Sequence, residues 1–427
     1  MQPEHLLSGW FRRQLATLAS DITSGGTPQS GNPRYYTESG GFLFAKIDDL
    51  TAAKGRYLSD TFLHVTPAAL RDTALKLYPP GTILLSMYGT VGLIRTTRVE
   101  MTANQALAAL LPPFSCNPDY LAHTLIWSRP RWEKYKSQTT QANINGRTVK
   151  NFECLLPPLP EQRRIAEILD TLDETIRKTE DVIAKLQQMK QGLLHDLLTR
   201  GIDDNGELRD PERHPEQFKD SPLGRIPREW EVGPLGNSIA FITDYRGMTP
   251  PYTDEGIPVI SAENVGGGKI KSTTKWVSPE TYRRTTTRGF PEADDTIFTT
   301  EAPVAEVARL PGDCTYRLTR RVIALRPKES VQKHYLYWYM FRLSETGAWS
   351  SKMHGSTVPR ILKPDILNQS LLVPPLSEQT SISDVLDSHQ SRIDNEVSSL
   401  GKLRTLKHGL MNDLLTGRVR VSTESPA

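Results

Sequence analysis

A repeated segment constrains this sequence more than any other feature. Residues 157–162, PPLPEQ, recur 217 positions later as PPLSEQ at 374–379. When 157–199 is aligned without a gap with 374–416, the two copies are identical at 18 of 43 positions. A duplication of this length predicts that the chain contains the same structural unit twice.

Each copy of the repeat is predicted to form one long helix. A proline pair precedes each copy, where a chain is not yet helical, and Glu161 and Glu378 suit the positive end of a helix dipole. Apolar residues then recur at alternating spacings of four and three residues, which is the pattern of a coiled coil. The apolar seam residues are Ile165, Leu169, Leu172, Ile176, Ile183, Leu186, Leu193 and Leu197 in the first copy, and Ile382, Leu386, Ile393, Leu400, Leu403, Leu410 and Leu414 in the second.

Two such helices in one chain are expected to pack on each other. A helix of about 40 residues extends roughly 60 Å at about 1.5 Å per residue. An antiparallel pair would carry whatever precedes each helix to opposite ends of a rod. Polar residues interrupt the seam at equivalent positions, Thr179 with Glu396 and Lys190 with Lys407. They either fix the register of the pair or mark a solvent-exposed bend.

The segments that precede the helices repeat more faintly. Trp10 and Trp230 match at an offset of 220, and short β-rich runs such as 82–87 and 296–300 recur among turns. We predict an α+β fold of two similar domains related by a pseudo-two-fold axis, with Trp10 and Trp230 beneath the first strand of each. The predicted segments are a first domain at 1–156, a first long helix at 157–200, a linker at 201–229, a second domain at 230–373, a second long helix at 374–416 and a tail at 417–427.

The charge distribution favours a polyanionic partner. The formal net charge is only +3, but residues 1–150 hold 16 Lys and Arg against 10 Asp and Glu. Residues 230–360 hold 17 against 14, whereas the rest of the chain holds 19 against 25. Two separated basic segments indicate a polyanion met at two places, although a few surface lysines would produce the same asymmetry.

No sequence feature indicates a membrane protein, a secreted protein or a disulfide framework. The chain has no apolar run of about 18 residues, and its N-terminus lacks a long apolar stretch with a small-residue cleavage site. Cys116, Cys154 and Cys314 are far apart and lack the spacing of a zinc cluster. These features fit a protein of the reducing cytoplasm.

Motifs that would indicate catalysis or a metal site are missing. The glycine cluster at 266–268 with Lys269 is followed by Ile270 and Lys271, so it fails as a phosphate-binding loop. No dinucleotide fingerprint, H-E-x-x-H zinc motif or nucleophile elbow is present. We therefore predict neither a catalytic residue nor a metal ligand in this chain.

The repeat and several strings within the domains carry a family resemblance. Two dissimilar domains, each followed by a helix that opens with PPLxEQ and closes near DLLT, resemble the specificity subunit of type I restriction–modification systems. The string GSTVPR at 355–360 is also typical, whereas the first domain has QTTQANI at 138–144 instead. DYRGMTPP at 244–251, GIP at 256–258 and SAEN at 261–264 resemble one common type of target-recognition domain, and GGTP at 25–28, NP at 32–33 and YY at 35–36 resemble another.

This resemblance implies a non-catalytic subunit that recognises DNA. Family members bind two methyltransferase subunits on the helical rod, and a nuclease and translocase subunit completes the restriction complex. The complex uses S-adenosylmethionine, ATP and Mg²⁺, none of which this chain is expected to hold itself. A rod with one recognition domain at each end would read a bipartite site on double-stranded DNA, with half-sites about one helical turn, or roughly 34 Å, apart.

Candidate DNA contacts are residues whose chemistry suits phosphates or base edges. Arg and Lys bind phosphates or guanine, and Asn and Gln pair with adenine. For Asn143 and Asn145 the alternative is turn formation, for Arg283 and Arg284 a solvated face, and for Tyr88 a place in the core. The candidates are Lys46, Tyr88, Asn104, Gln105, Asn143, Asn145 and Arg147 in the first domain, and Arg246, Asn264, Lys271, Arg283, Arg284, Ser356, Thr357 and Arg360 in the second.

Two other classes of function stay open on the sequence. A coiled-coil adaptor that joins two protein-binding modules would have the same helices. Salt-dependent, sequence-specific binding to duplex DNA would separate a DNA-recognition subunit from such an adaptor. The chain could also be an enzyme, such as a fused nuclease or methyltransferase, but the motifs of such enzymes are missing. Catalytic activity of the purified chain alone would support this hypothesis.

Overall fold

The computed structural model describes residues 9–135, 143–245 and 249–422 of the 427-residue chain. The chain forms two compact units. Unit 1 comprises Met1–Val182 and Glu396–Ala427, and unit 2 comprises Ile183–Asn395. Each unit therefore holds one domain and part of both long helices. In the described ranges, no helix is long and apolar enough to cross a membrane.

The two copies of the repeat form the two long helices. The first long helix spans Leu159–Leu197 and the second spans Leu376–Leu415. In unit 1, Asp173 forms an ion pair with Lys407, and Glu180 accepts a hydrogen bond from Arg404 at 2.7 Å. Residue numbers rise along one helix as they fall along the other, so the pair in unit 1 is antiparallel.

Unit 2 contains the remaining parts of the two helices, which are also antiparallel. His389 Nε2 donates a hydrogen bond to the carbonyl oxygen of Leu186 at 2.8 Å. Just after the first repeat, the backbone N–H of Ile202 donates at 3.0 Å to Glu378, which precedes His389. The predicted α+β fold with two similar domains and an antiparallel helix pair is confirmed.

The predicted seam residues are buried or half-buried. Ile165, Leu169, Ile382 and Leu386 are completely buried. Leu172, Ile183, Leu186, Leu197, Ile393, Leu400 and Leu414 are also buried, and Ile176, Leu193, Leu403 and Leu410 are half-buried.

Apolar residues outside the heptad pattern are also buried near the end of each repeat. Leu194 and Leu198 belong to the core of unit 2. Met411 and Leu415 belong to the core of unit 1. Near its C-terminal end each helix faces a domain core as well as the other helix, so its apolar face is wider there than a coiled-coil seam.

The lysines that interrupt the seam make specific contacts within each unit. Lys407 forms an ion pair with Asp173 in unit 1. In unit 2, Lys190 donates to Gln390 Oε1 at 2.8 Å and lies 4.3 Å from the ring centroid of Phe341. Burial lowers the pKa of Lys190. These contacts favour a role in register over a solvent-exposed bend.

The glutamate of the first PPLxEQ motif ties its helix to the first domain. Glu161 is only 2% exposed. It accepts a hydrogen bond from Trp10 Nε1 at 3.3 Å and two from the Arg420 guanidinium, at 2.7 and 2.8 Å. The segment that follows the second long helix therefore returns to the start of the first helix.

Glu378 repeats this arrangement in unit 2. It accepts hydrogen bonds from Trp230 Nε1 at 3.0 Å and from both terminal nitrogens of Arg209. Gly201 packs against this cluster with φ of +65°, and a Cβ there would lie 2.1 Å from Glu378 Oε1 and 2.5 Å from the Trp230 ring. Only glycine fits such a left-handed position beside other atoms.

The glutamine of each motif satisfies backbone groups at the domain–helix junction. Gln162 Oε1 accepts from the backbone N–H of Asn117 at 2.8 Å, and its amide donates to the Pro157 carbonyl. Gln379 makes the same pair of contacts with the N–H of Gln332 and the Pro374 carbonyl. These equivalent bonds explain why both copies carry a glutamine at this position of the PPLxEQ motif.

An aspartate further along each helix binds cationic and ring N–H groups of the adjacent domain. Asp170 accepts from Arg56 at 2.8 Å and lies 2.7 Å from His123 Nε2. Burial opposes its ionisation, but the hydrogen bond with His123 and the charge of Arg56 hold the pKa of Asp170 below its usual value.

Asp387 is the equivalent residue in unit 2. It lies 2.6 Å from His334 Nδ1 and accepts from Trp338 Nε1 at 2.9 Å and Arg309 at 3.0 Å. The hydrogen bond with Asp387 raises the pKa of His334. Each aspartate therefore binds an arginine and a histidine of the adjacent domain, and Asp387 binds a tryptophan in addition.

The first domain is built on a five-stranded sheet. Its strand order is Ala19–Ser24, Leu107–Phe114, Ile83–Ser86, Ile94–Thr97 and Tyr57–Leu58, and only the last pair is parallel. The other strands are Phe11–Gln14, Tyr36–Thr37, Phe42–Ala45, His64–Val65, Thr102–Ala103 and Glu153–Leu156, and the helices are Ile47–Ala52, Pro67–Asp72, Pro118–Trp127, Arg129–Trp132 and Gly146–Asn151.

The second domain has a related four-stranded sheet. Its order is Ile239–Asp244, Val322–Pro327, Thr296–Thr300 and Val304–Arg309, all antiparallel. The predicted linker contains an unexpected hairpin of Phe218–Ser221 and Gly224–Pro227. The other strands of unit 2 are Glu231–Pro234, Ile257–Ile260, Val265–Gly266, Lys269–Ile270, Trp276–Val277, Arg317–Leu318 and Ser370–Val373, and its other helices are Pro279–Thr285, Lys333–Glu345 and Lys363–Leu367.

Candidate DNA interface

Backbone hydrogen bonds bring several turns of the first domain together at one end of its sheet. The N–H of Met87 donates to the Ala106 carbonyl at 2.8 Å, and the N–H of Ile144 donates to the Met87 carbonyl at 2.9 Å. The N–H of Asn104 donates to the Ala45 carbonyl at 3.0 Å. We call the turns 45–46, 87–88, 104–106 and 143–147 the first rim.

All seven candidate contacts of the first domain lie on the first rim. Gln105 is exposed, and its Oε1 accepts a hydrogen bond from Thr27. Tyr88 is 39% exposed and pairs with Asn143 in an isolated β-bridge, so it lies at the surface and not in the core. Lys46 is half-buried at the start of helix Ile47–Ala52.

Two asparagines of the first rim also stabilise turns. Asn145 caps helix Gly146–Asn151, and its Oδ1 accepts from the N–H of Thr148 at 2.9 Å. Asn104 Oδ1 accepts from the N–H of Ala106 at 3.2 Å. Arg147 follows Asn145 and is exposed. Asn145 therefore stabilises the local backbone, as the alternative to a DNA contact predicted.

Gly25 lets another segment join the first rim. Its N–H donates to the Leu107 carbonyl at 3.2 Å, and a Cβ at this position would lie 2.0 Å from the Ala103 oxygen and 2.3 Å from the Asn104 oxygen. Any larger residue would push this segment away from 103–104. The glycine of the GGTP string therefore permits a close backbone approach.

The second domain repeats this arrangement. The N–H of Thr300 donates to the Arg321 carbonyl at 2.9 Å, and the N–H of Ile361 donates to the Thr300 carbonyl at 3.0 Å. The N–H of Thr319 donates to the Ile260 carbonyl at 2.9 Å. We call the turns 260–261, 300–301, 319–321 and 354–361 the second rim.

The GSTVPR string lies on the second rim. Ser356, Thr357 and Arg360 are exposed, and Arg360 pairs with Glu301 in an isolated β-bridge. Asn143 pairs with Tyr88 in the same way, so 143–144 and 360–361 occupy equivalent positions although their sequences differ. Residues 138–142 of the first domain's QTTQANI string lie outside the described residues.

Asn264, a candidate DNA contact, is buried and not exposed on the surface. It is only 8% exposed, and its Oδ1 accepts from the N–H of Ser261 at 3.0 Å while its Nδ2 donates to the Ser272 carbonyl at 3.1 Å. Asp49 makes the equivalent bond to the N–H of Lys46 at 2.7 Å. Each side chain closes a turn by accepting from the backbone N–H three residues before it. This role explains why each position holds an amide or a carboxylate.

The other candidates of the second domain lie on its surface away from these backbone bonds. Arg283 and Arg284 are exposed on helix Pro279–Thr285, and Lys271 is exposed after strand Lys269–Ile270. Their exposure agrees with the alternative considered for the two arginines, a solvated helix face. Arg246 lies outside the described residues.

Sequence reasoning missed three residues of the second rim. Thr319, Arg320 and Arg321 follow strand Arg317–Leu318, as Asn104 and Gln105 follow strand Thr102–Ala103. Both short strands pair in parallel with the equivalent strand of their domain. Asn104 and Thr319 are 215 positions apart, and Tyr120-Leu121 matches Tyr335-Leu336 at the same offset. An alignment of the two domains at this offset would therefore have selected the three residues.

The described residues form no cluster of three or more His, Cys, Asp or Glu side chains that could hold a metal ion. The rims instead combine basic, amide and hydroxyl groups on turns supported by a sheet. Such groups can bind phosphates and base edges without forming or breaking covalent bonds.

A protein-family model described as the type I restriction modification DNA specificity domain matches this chain twice, at residues 20–188 and 227–403. Each match includes one domain and much of the helix that follows it.

Two curated relatives come from Methanocaldococcus jannaschii. The putative type I restriction enzyme MjaX specificity subunit is 27% identical over 294 residues, which cover 67% of this chain and 64% of that protein. The type I restriction enzyme MjaIX specificity subunit is 21% identical over 423 residues, which cover 96% of this chain and 94% of the relative.

Two solved structures have the same fold. The S subunit of a type I restriction-modification system from M. genitalium superimposes with a TM-score of 0.60 at 15% identity and covers 97% of each chain. A chain from a study of complex assembly and conformational transition of the type I R-M system gives a TM-score of 0.58 at 19% identity, covering 98% of this chain and 100% of its own.

Proposed function

Because this chain belongs to the family of type I restriction–modification DNA specificity subunits, we propose that it reads a bipartite sequence on duplex DNA, one domain for each half-site. Specificity subunits are the recognition component of such systems and not an enzyme. We further propose that the paired long helices carry the methyltransferase subunits and set the distance between the half-sites.

One observation carries the bipartite proposal: the same rim occurs twice in the chain with different side chains. Gln105 of the first rim corresponds to Arg320 of the second, and Tyr88 corresponds to Glu301. Domains with the same backbone but different polar groups would read different bases. The site is therefore expected to have two unlike halves, and not a palindrome.

The partners and cofactors follow from the proposed complex. Two methyltransferase subunits would bind the helices, and a nuclease and translocase subunit would complete a restriction complex. S-adenosylmethionine, ATP and Mg²⁺ would be held by those partners. A complex that modifies host DNA and cuts foreign DNA would act in the cytoplasm.

Exposed apolar side chains on the long helices support a docking role. Met189 is 58% exposed on the first long helix, and Val397 and Leu406 are 49% and 52% exposed on the second. Exposed apolar residues on a helix that already buries its seam are suited to a second protein surface.

We expect Met189→Asp and Val397→Asp each to weaken binding of the methyltransferase subunit about tenfold or more, because a buried charge would replace an apolar contact. Titration of labelled chain with purified methyltransferase subunit would measure the change. Gln188→Asp adds the same charge at a neighbouring exposed position and should have little effect. Equal loss in the control and the two variants would contradict docking on this surface.

Methylation-aware sequencing tests the proposed function directly. Cells with the chain and its methyltransferase subunits should contain a methylated motif with two specified parts separated by unspecified base pairs, and cells lacking the chain should lose it. Gln105→Ala should alter the bases required in one half only. A methylation pattern that does not depend on the chain would overturn the proposal and favour an adaptor.

A further inference from the structure

A cavity of about 530 Å³ opens beside the second rim. Its walls come from Tyr245, from residues 261–263 after strand Ile257–Ile260, and from Thr319, Arg320 and Arg321. The cavity therefore borders the turns that correspond to the candidate DNA contacts of the first domain.

The cavity lining is strongly basic. Lys275, Arg288, Arg317, Arg320 and Arg321 contribute to it, whereas Glu263 is the single acidic residue among those that line it. Glu263 already accepts a hydrogen bond from Lys275 at 2.7 Å. Arg321 forms an ion pair with Glu301 at 3.2 Å, so it is the positive charge of Arg317 and Arg320 that favours an anionic ligand.

Arg317 is the buried member of this set. It is 5% exposed, and its guanidinium carbon lies 4.0 Å from the ring centroid of Tyr245. Its Nε donates to Thr285 Oγ1 at 3.2 Å, and its terminal nitrogens donate to the carbonyls of Thr285 and Leu318. These contacts hold the guanidinium in one orientation.

The charge of Arg317 is not balanced by an acidic side chain in the part of the chain that the structure describes. In residues 9–135, 143–245 and 249–422, no carboxylate forms an ion pair with it. Burial lowers the pKa of Arg317, yet a guanidinium stays protonated in proteins. A buried cation is costly without an anion beside it, because it has lost its hydration.

The first domain lacks this feature at the same position. Strand Thr102–Ala103 pairs Thr102 with Phe44, and strand Arg317–Leu318 pairs Arg317 with Val259 in the same parallel register. Thr102 is completely buried and donates to the Leu43 carbonyl at 2.8 Å. A neutral, satisfied side chain therefore replaces the arginine.

We infer that the cavity seats a single backbone phosphate of the second half-site, with Arg317 as its buried anchor and Arg320 at its mouth. This inference rests on the proposed function and names one contact within it. A phosphate fits better than a base edge, because only an anion offsets the buried charge. A phosphate contact in the second domain alone would position the DNA there without specifying a base.

Duplexes that carry one neutral methylphosphonate test this contact. The full chain with its methyltransferase subunits is titrated with a set of duplexes that contain the recognised sequence. Each duplex carries the neutral linkage at a different position of the second half-site. Wild-type protein should lose about tenfold in affinity at one position, and the slope of log K against log salt should fall by about one there.

Arg320→Ala removes an exposed guanidinium that makes no hydrogen bond to any residue within the described ranges, so folding should be retained. This variant, and Arg317→Met where it folds, should bind the unmodified duplex about tenfold more weakly than wild type. A methylphosphonate at the position to which wild type is sensitive should then reduce their affinity by less than about tenfold. Arg213→Ala, which removes a charge from an exposed side chain of the linker, should behave as wild type.

The outcomes separate the two levels of the proposal. Sequence-specific binding with equal methylphosphonate losses in wild type and Arg320→Ala would overturn the phosphate contact and leave the proposed function intact. Absence of sequence-specific binding by wild-type complex would overturn both. Inorganic phosphate that binds the DNA-free protein through Arg320, with no coupling to any linkage of the duplex, would overturn the assignment to DNA.

Discussion

Glu378→Ala should lower the free energy of unfolding by about 3–5 kcal/mol, because it leaves a buried arginine without its counterion. The Arg209 and Glu378 side chains are only 11% and 7% exposed. Without the carboxylate, the indole N–H of Trp230 and the backbone N–H of Ile202 also lose their acceptor. Denaturant titration of the purified chain would measure the change.

A surface glutamate of the same helix pair provides the control. Glu167 forms an ion pair with Arg164 at 3.2 Å, with both side chains more than half exposed. Glu167→Ala should cost no more than about 0.5 kcal/mol, because solvent already screens such a pair. If Glu378→Ala were no more destabilising than Glu167→Ala, the cluster at the start of the second long helix would not hold the domain to the helix.

Lengthening both long helices by one heptad should change the distance between the half-sites. A copy of 176–182 inserted after Val182 and a copy of 389–395 inserted after Asn395 fall between the two compact units and preserve the seam. Seven residues add about 10 Å, which corresponds to about three base pairs at 3.4 Å each.

We expect this variant to bind the original site at least about a hundredfold more weakly, because one half-site would no longer be reached. Sites with a longer gap and unchanged half-sites should recover binding. Selection from a duplex library with gaps of varied length would measure the preferred gap.

An insertion in the linker separates helix length from chain length. Three glycines placed between Asp204 and Asn205, in an exposed turn, lengthen the chain but neither helix, so the preferred gap should stay the same. A heptad variant with the original gap, or with altered half-sites, would contradict the role of the helices in spacing.

The long helices were predictable because their contacts are periodic. Alternating spacings of four and three place Leu169 and Leu386 on one face, and that face has to be buried. The constant offset of 217 also identified Glu161 with Glu378 as equivalent. What these glutamates bind was not predictable, because Arg209 and Arg420 are distant in sequence and belong to no periodic pattern.

The rims were only partly predictable. Residue chemistry selected Gln105 and Arg360, which are exposed on the rims, but it also selected Asn264, which closes a turn. Polar side chains serve turns and ligands equally well, and only burial and hydrogen-bond partners distinguish the two uses.

Local spacing and duplication were thus sufficient for the helices, their pairing and the two similar domains, because each of these repeats along the chain, whereas the class of function came from the family resemblance. The folded chain alone revealed the convergence of separate turns into two rims, the anchoring of each helix by a tryptophan and a distant arginine, and the burial of Arg317. These features arise where segments far apart in sequence meet, and their strength depends on burial, which no spacing of residues encodes.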